Sequence, residues 1–198
     1  MDAAVFVSTF ALLFIAELGD KTQLMAMTLA HRYRAAPVLA GCFAAFALLN
    51  ALAVGLGGTL ASLVPRGPLL GAAGLLFLAF AWRAWRDGAA AEAPEPGPLR
   101  RFGAVVTSFL LIVVAELGDK TQLALVAVAA RGEALVAVFA GGTAALWAVA
   151  LLAVLLGRAL LTRVPAQWVH RAAALLFAAF GLLALVGAWR AGVPRPTP

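Results

Sequence analysis

The chain has 198 residues, 64% of them hydrophobic and only 12% charged, with a mean hydropathy of +1.00. That is too little charge to cover a soluble domain of this size, so composition excludes one and points to an all-α protein crossing a bilayer several times. The net charge of +6 rests on thirteen arginines in or near the loops and segment ends, plus Lys21 and Lys120; that placement orients a membrane protein and does not indicate nucleic acid.

Six apolar segments follow in chain order, each about the roughly 20 residues a span requires. They run Ala3–Ala30, Pro37–Val64, Leu69–Trp85, Phe102–Ala130, Ala134–Leu161 and Trp168–Trp189. Met1–Ala16 lacks a basic n-region and continues into the first segment, so no cleaved signal peptide is expected. Arg32, Arg34 and Pro37 separate the first pair, and Pro65-Arg66-Gly67-Pro68 reads as a tight turn between the second and third. Asp87–Arg101, with Pro94, Pro96 and Pro98, is the linker, and residues 191–198 form a Pro-rich tail expected to be disordered. The single cysteine, Cys42, excludes an intrachain disulfide framework and a Cys-based metal cluster.

The first and fourth segments carry the same nine residues, Ala-Glu-Leu-Gly-Asp-Lys-Thr-Gln-Leu, at Ala16–Leu24 and Ala115–Leu123. The repetition extends further: Val38-Leu-Ala-Gly41 answers Val138-Phe-Ala-Gly141, and Leu75-Leu-Phe77 answers Leu175-Leu-Phe177. The chain therefore reads as two three-helix units, residues 1–86 and 102–190, joined by the linker. A unit with an odd number of spans ends on the opposite side from its start, so the second runs inverted relative to the first. That is the inverted-repeat plan, with a site at the midplane between the halves. Nine arginines fall on one side of this topology (Arg32, Arg34, Arg83, Arg86, Arg100, Arg101, Arg158, Arg163, Arg171) and four on the other. The positive-inside rule then puts the linker in the cytoplasm and both termini outside.

Charges in the middle of apolar segments are costly and mark a site. Helical spacing would place Glu17, Asp20 and Lys21 on one face, and Glu116, Asp119 and Lys120 likewise. Gly19 and Gly118 permit either close approach of a neighbouring helix or local unwinding. Thr22, Gln23, Thr121 and Gln122 add neutral oxygens. Glu17 and Glu116 are each the fifteenth residue of their segments, so both motifs sit near the bilayer centre. Four carboxylates and two lysines sum to −2 when all are ionised, which one divalent cation or two protons would neutralise. A site alternating between those loads is a cation/proton exchanger. Its oxygen ligands suit Mn²⁺, Ca²⁺ or Mg²⁺, with Mn²⁺ the first choice and Ca²⁺ the second, as transported ions and not cofactors. The lysines are expected to hold the acids and balance charge without touching the ion. A bland reading, intrahelical salt bridges with Asp20 and Asp119 capping a kink, leaves the duplication unexplained.

Glu-x-Gly-Asp-Lys/Arg-Thr/Ser, once in each half of a six-helix protein, resembles the signature of the Gdt-type divalent cation/proton exchangers. Both copies here, Glu17–Thr22 and Glu116–Thr121, read Glu-Leu-Gly-Asp-Lys-Thr without departure. The resemblance implies divalent-cation export in exchange for protons, the motif acids as the ion site, and a cytosolic linker. The short linker and lack of a targeting extension look prokaryotic, hence a cytoplasmic-membrane protein.

Other polar residues are secondary candidates. Asn50 could line the pathway, although an interhelical hydrogen bond is the commoner role. Ser8, Thr9, Thr107 and Ser108 precede the motifs by two to three turns and could line a vestibule or back-bond to their own helix. Gly41 and Gly141 have small-xxx-small spacing to Ala45 and Ala145 and read as helix-packing positions. Trp82, Trp85, Trp168 and Trp189 sit at segment ends as interfacial anchors, and Trp147 packs within the bundle. The rival to an exchanger is a passive divalent cation channel; two lysines in the site and no wide polar stripe argue against it. An intramembrane aspartyl-type enzyme would need neither the lysines nor a symmetrical second set of Thr and Gln. Expected partners are the divalent cation, protons and the lipid bilayer; six spans could suffice alone, and a homo-oligomer is left open.

Overall fold

The computed structural model describes residues 2–86, 103–132, 134–156 and 166–192. Every regular element among them is an α-helix: α1 Asp2–Glu17, α2 Lys21–Arg32, α3 Ala35–Leu63, α4 Arg66–Arg86, α5 Ala104–Glu116, α6 Lys120–Ala129, α7 Leu135–Leu156 and α8 Ala166–Gly192. The all-α reading holds.

The expected six continuous spans do not appear in that form. Four helices, α3, α4, α7 and the α8 stretch, are long and apolar enough to cross a membrane, and α1 with α2 forms a bent pair, turned by 71°, that makes a fifth. At 13 and 10 residues, α5 and α6 each fall short of the roughly 20 a span requires. The cause is the motif itself. Gly19 and Gly118 have φ of +82° and +77°, a left-handed conformation that ends α1 and α5 and restarts the chain as α2 and α6. The motif residues therefore do not share one face of an unbroken helix; of the two uses foreseen for the glycines, the structure takes local unwinding.

Two boundaries also differ. Arg66, Gly67 and Pro68 are the first turn of α4 and not a turn between helices. Proline is tolerated there because the first amides of a helix have no intrahelical acceptor. Ala191 and Gly192, assigned to a disordered tail, complete α8. The linker, at 87–101, and residues 193–198 lie outside the described residues.

The helices interlock across the two halves of the chain. The bent pair of the first half packs on α7, and α5 and α6 of the second half pack on α3. Corresponding glycines make these contacts. A methyl added at Gly41 would overlap Val105 O and Ser108 Oγ of α5, while one at Gly141 would lie 2.6 Å from Phe6 O of α1. Bare backbone at both positions lets the helices meet closely. α4 and α8 form the most extensive pairing. Leu70 meets Gly187, Gly74 meets Gly181 and Leu185, and Phe77 stacks on Phe177, so the two run antiparallel. The apolar core closes around the breaks, with Leu12, Leu13, Ala16, Ala124 and Leu125 in one cluster and Met25, Ala26, Ile112 and Leu146 in a second.

Candidate cation site

The two breaks are built alike. At the first, the Gly19 amide donates to Gln23 Oε1 (2.7 Å), and at the second the Gly118 amide donates to Gln122 Oε1. Each bond satisfies a donor released by the interruption of the helix. The glutamine oxygens thus hold the break. Gln23 is buried, and its Nε2 makes no hydrogen bond among the described residues.

The threonines act on the glutamates. Thr22 Oγ1 donates to Glu17 Oε2 (3.0 Å), and Thr121 Oγ1 donates to Glu116 Oε2 (3.1 Å). In an unbroken helix a residue five positions on lies well round the circumference, at about 140°. Only the break turns each hydroxyl back onto its glutamate. Both glutamates are almost wholly buried, at 1% and 2% exposure. With one oxygen held by threonine, the other oxygen of Glu17 has no hydrogen-bond partner among the described residues.

The two copies meet. Lys120 Nζ of the second motif pairs with Asp20 Oδ2 of the first, in a part-buried contact. Glu17, Asp20 and Asp119 each offer a carboxylate oxygen within 4.8 Å of the others. Glu116, equally buried, is not one of that trio. Asp119 occupies the N-cap position of α6, yet its side chain makes no capping hydrogen bond. The kink-capping explanation for that acid therefore fails, and its carboxylate faces the other acids. Three carboxylate oxygens this close, from both halves of the chain, form a hard-oxygen cluster of the kind that holds a divalent cation or protons. The backbone of Lys21 opens α2; its side chain lies outside the described ones.

The secondary candidates are placed elsewhere. Asn50 Nδ2 donates to Thr143 Oγ1 (3.1 Å), a buried bond tying α3 to α7. Sequence reading had no signal for Thr143 as its partner. Ser8 is exposed and back-bonds to Val5 O (3.1 Å). Ser108 is buried and back-bonds to Ala104 O (2.7 Å). Thr9 and Thr107 are fully buried within their helices. Trp147 stacks on Phe43 with ring centroids 4.8 Å apart and donates from Nε1 to Phe43 O.

Comparisons with known proteins identify the family. A GDT1-like protein of Synechocystis sp. is 34% identical over 90% of this chain and 95% of its own length. A Vibrio cholerae protein named "Putative manganese exporter" is 33% identical over 88% of this chain and 85% of its own. GDT1-like protein 3 of Arabidopsis thaliana is 30% identical over 88% of this chain and 68% of its own. No solved structure matches. The family described as "Divalent cation/proton antiporter GDT1" matches residues 5–92 and 104–192, so this multi-pass membrane protein belongs to the GDT1 family of cation/proton antiporters, which are transporters and not enzymes.

Proposed function

We propose that the chain exports a divalent cation from the cytoplasm in exchange for protons, by alternating access. One observation carries this reading: carboxylates from both motif copies converge at two helix breaks, with Glu17, Asp20 and Asp119 within 4.8 Å of one another. Glu116 completes the acid set from the second break. In this reading α1–α2 and α5–α6 are each one broken span, which gives six spans in two inverted three-helix units with the site between them. Residues 1–86 and 102–190 are the units. The arginine distribution orients them with the linker cytoplasmic and both termini outside, in the cytoplasmic membrane of a prokaryote.

The ion takes the carboxylate oxygens of Glu17, Asp20, Glu116 and Asp119. Thr22 and Thr121 orient the glutamates, and Lys120, joined to Asp20 across the two halves, balances charge. The site loads one divalent cation facing the cytoplasm, rocks, releases it outward and returns carrying protons. Mn²⁺ is the first choice and Ca²⁺ the second; the ligand chemistry accepts both, and the name of the Vibrio cholerae relative favours manganese.

The test is Mn²⁺ uptake into inside-out vesicles under an imposed proton gradient, with the wild type beside Glu17→Gln and Glu116→Gln. Gradient-driven uptake, lost in both variants while the protein still folds, is the expected result. No gradient-driven Mn²⁺ or Ca²⁺ movement by the wild type refutes the exchanger, and flux without proton movement assigns a channel instead.

A further inference from the structure

Away from the motifs, one end of the α4–α8 pair carries a feature that cation exchange does not use. An open groove of 380 Å³ runs between the two helices, lined by Leu78, Trp82 and Trp85 of α4 and by Ala174 and Leu175 of α8. The wall is apolar, and Trp82 and Trp85 are 65% and 58% exposed. From Leu78 to Trp85 the groove extends about 10 Å along the helix axis, so it lies along the membrane normal and not across it.

The mouth of this groove is cationic. The Arg171 guanidinium sits 5.8 Å from the Trp85 ring and 5.5 Å from the Trp168 ring, and Arg86 lies 5.5 Å from the Trp82 ring. Arg83 and Arg86 both fall in the last turn of α4. Neither α4 nor α8 contains a single Asp or Glu. A guanidinium placed over an indole ring retains N–H donors, and those suit the oxygens of a phosphate.

An apolar slot along the membrane normal under a collar of arginines, with no carboxylate on either helix, matches one kind of occupant. We infer that this end of the α4–α8 pair is a binding site for an anionic phospholipid. One acyl chain lies in the groove against Trp82 and Trp85, and the headgroup phosphate bridges Arg171 and Arg86. The charge complementarity separates it from a surface merely wetted by bulk lipid, since a zwitterionic headgroup would place its own cation among the arginines. In the orientation proposed above this is the cytoplasmic leaflet, but the site itself does not depend on the exchange reading.

The experiment uses the full chain in phosphatidylcholine bilayers, with Trp147→Phe and Trp189→Phe introduced so that Trp82, Trp85 and Trp168 report alone. A small fraction of acyl-brominated lipid is added as either phosphatidylglycerol or phosphatidylcholine, and fluorescence quenching is compared. The expected result is preferential quenching by brominated phosphatidylglycerol. Arg171→Gln lowers that preference about fivefold, the loss expected for one basic group at an anionic lipid surface, and Arg86→Gln acts likewise. Arg190→Gln, at the opposite end of α8, leaves it unchanged. Equal quenching by the two lipids overturns the inference, as does a preference that survives Arg171→Gln. Displacement of the brominated lipid by soluble glycerol phosphate would make the site one for free anions and overturn it too.

Discussion

Replacing Gly19 or Gly118 tests whether the helix breaks are a property of the backbone. Both residues hold φ near +80°, at +82° and +77°. A methyl added at either would meet no atom within 4 Å, so lack of space is not the objection. The cost lies in the left-handed conformation, which is about 1–2 kcal/mol for an L-residue with a Cβ. Alanine at one break should therefore lower stability by about that amount, a five- to thirtyfold change in the folding equilibrium. Asparagine separates the backbone argument from a steric one, because it is larger than alanine yet visits this region more readily. The expected order of melting temperature is Gly, then Asn, then Ala, with Val lowest. Melting of the purified protein, followed by tryptophan fluorescence, reads that order. Asn falling below Ala at both positions would refute the reasoning. A steric cost would produce that size order, whereas an added methyl at either break meets nothing within 4 Å.

Other substitutions probe single contacts. Thr22→Val or Thr121→Val removes the hydroxyl that holds a buried glutamate; leaving a buried polar group without its partner costs about 1–3 kcal/mol, so proton-driven Mn²⁺ uptake should fall about fivefold or more, while Thr→Ser at the same position restores most of it. Asn50→Leu leaves Thr143 buried without its partner and should cost about 1–3 kcal/mol in a melting assay; the double variant Asn50→Leu/Thr143→Val should recover much of that loss. Gly41→Ala and Gly141→Ala force a methyl into the backbone of α5 and α1 and should each cost about 1–3 kcal/mol. Gly55→Ala, in the same helix as Gly41 but with nothing within 4 Å of an added methyl, should instead be neutral or stabilising.

The sequence is most legible where a feature is costly in lipid. The duplicated Glu-Leu-Gly-Asp-Lys-Thr stands out because ionisable groups are rare in apolar segments, and the structure brings acids of the two copies together. The matched segments Leu75–Phe77 and Leu175–Phe177 do meet, Phe77 stacking on Phe177, and the small residues at Gly41 and Gly141 are the close contacts their spacing implied. What periodicity did not yield is the break. Glu17, Asp20 and Lys21 satisfy i+3 and i+4 spacing, and helical spacing carries no information on whether a glycine between them takes positive φ. The partner of Asn50 was illegible for another reason. Thr143 lies 93 positions away on a different helix, and nothing in its local sequence marks it. Gln23 and Gln122 were read as oxygens for an ion because amide oxygens suit such ions; their position four residues after the glycine is the signal that they also close the turn.

Once the break is recognised, the composition of the motif follows from mechanics. A carboxylate in the middle of a helix can reach only what its own face touches. Interrupting the helix immediately after Glu17 frees backbone donors, and in an apolar core each freed donor needs an acceptor. Gln23 supplies one for the Gly19 amide from within the same motif. Thr22, swung round by the break, fixes one oxygen of Glu17 and leaves the other directed into the site. Asp119 stands at the head of α6 without capping it, and one of its carboxylate oxygens lies within 4.8 Å of those of Glu17 and Asp20. Lys120 then crosses to Asp20 and ties one break to the other. In both copies the glycine breaks the helix, the glutamine oxygen accepts from the freed glycine amide, and the threonine hydroxyl holds the glutamate. Those shared mechanics explain why the chain repeats more of the motif than its two acids.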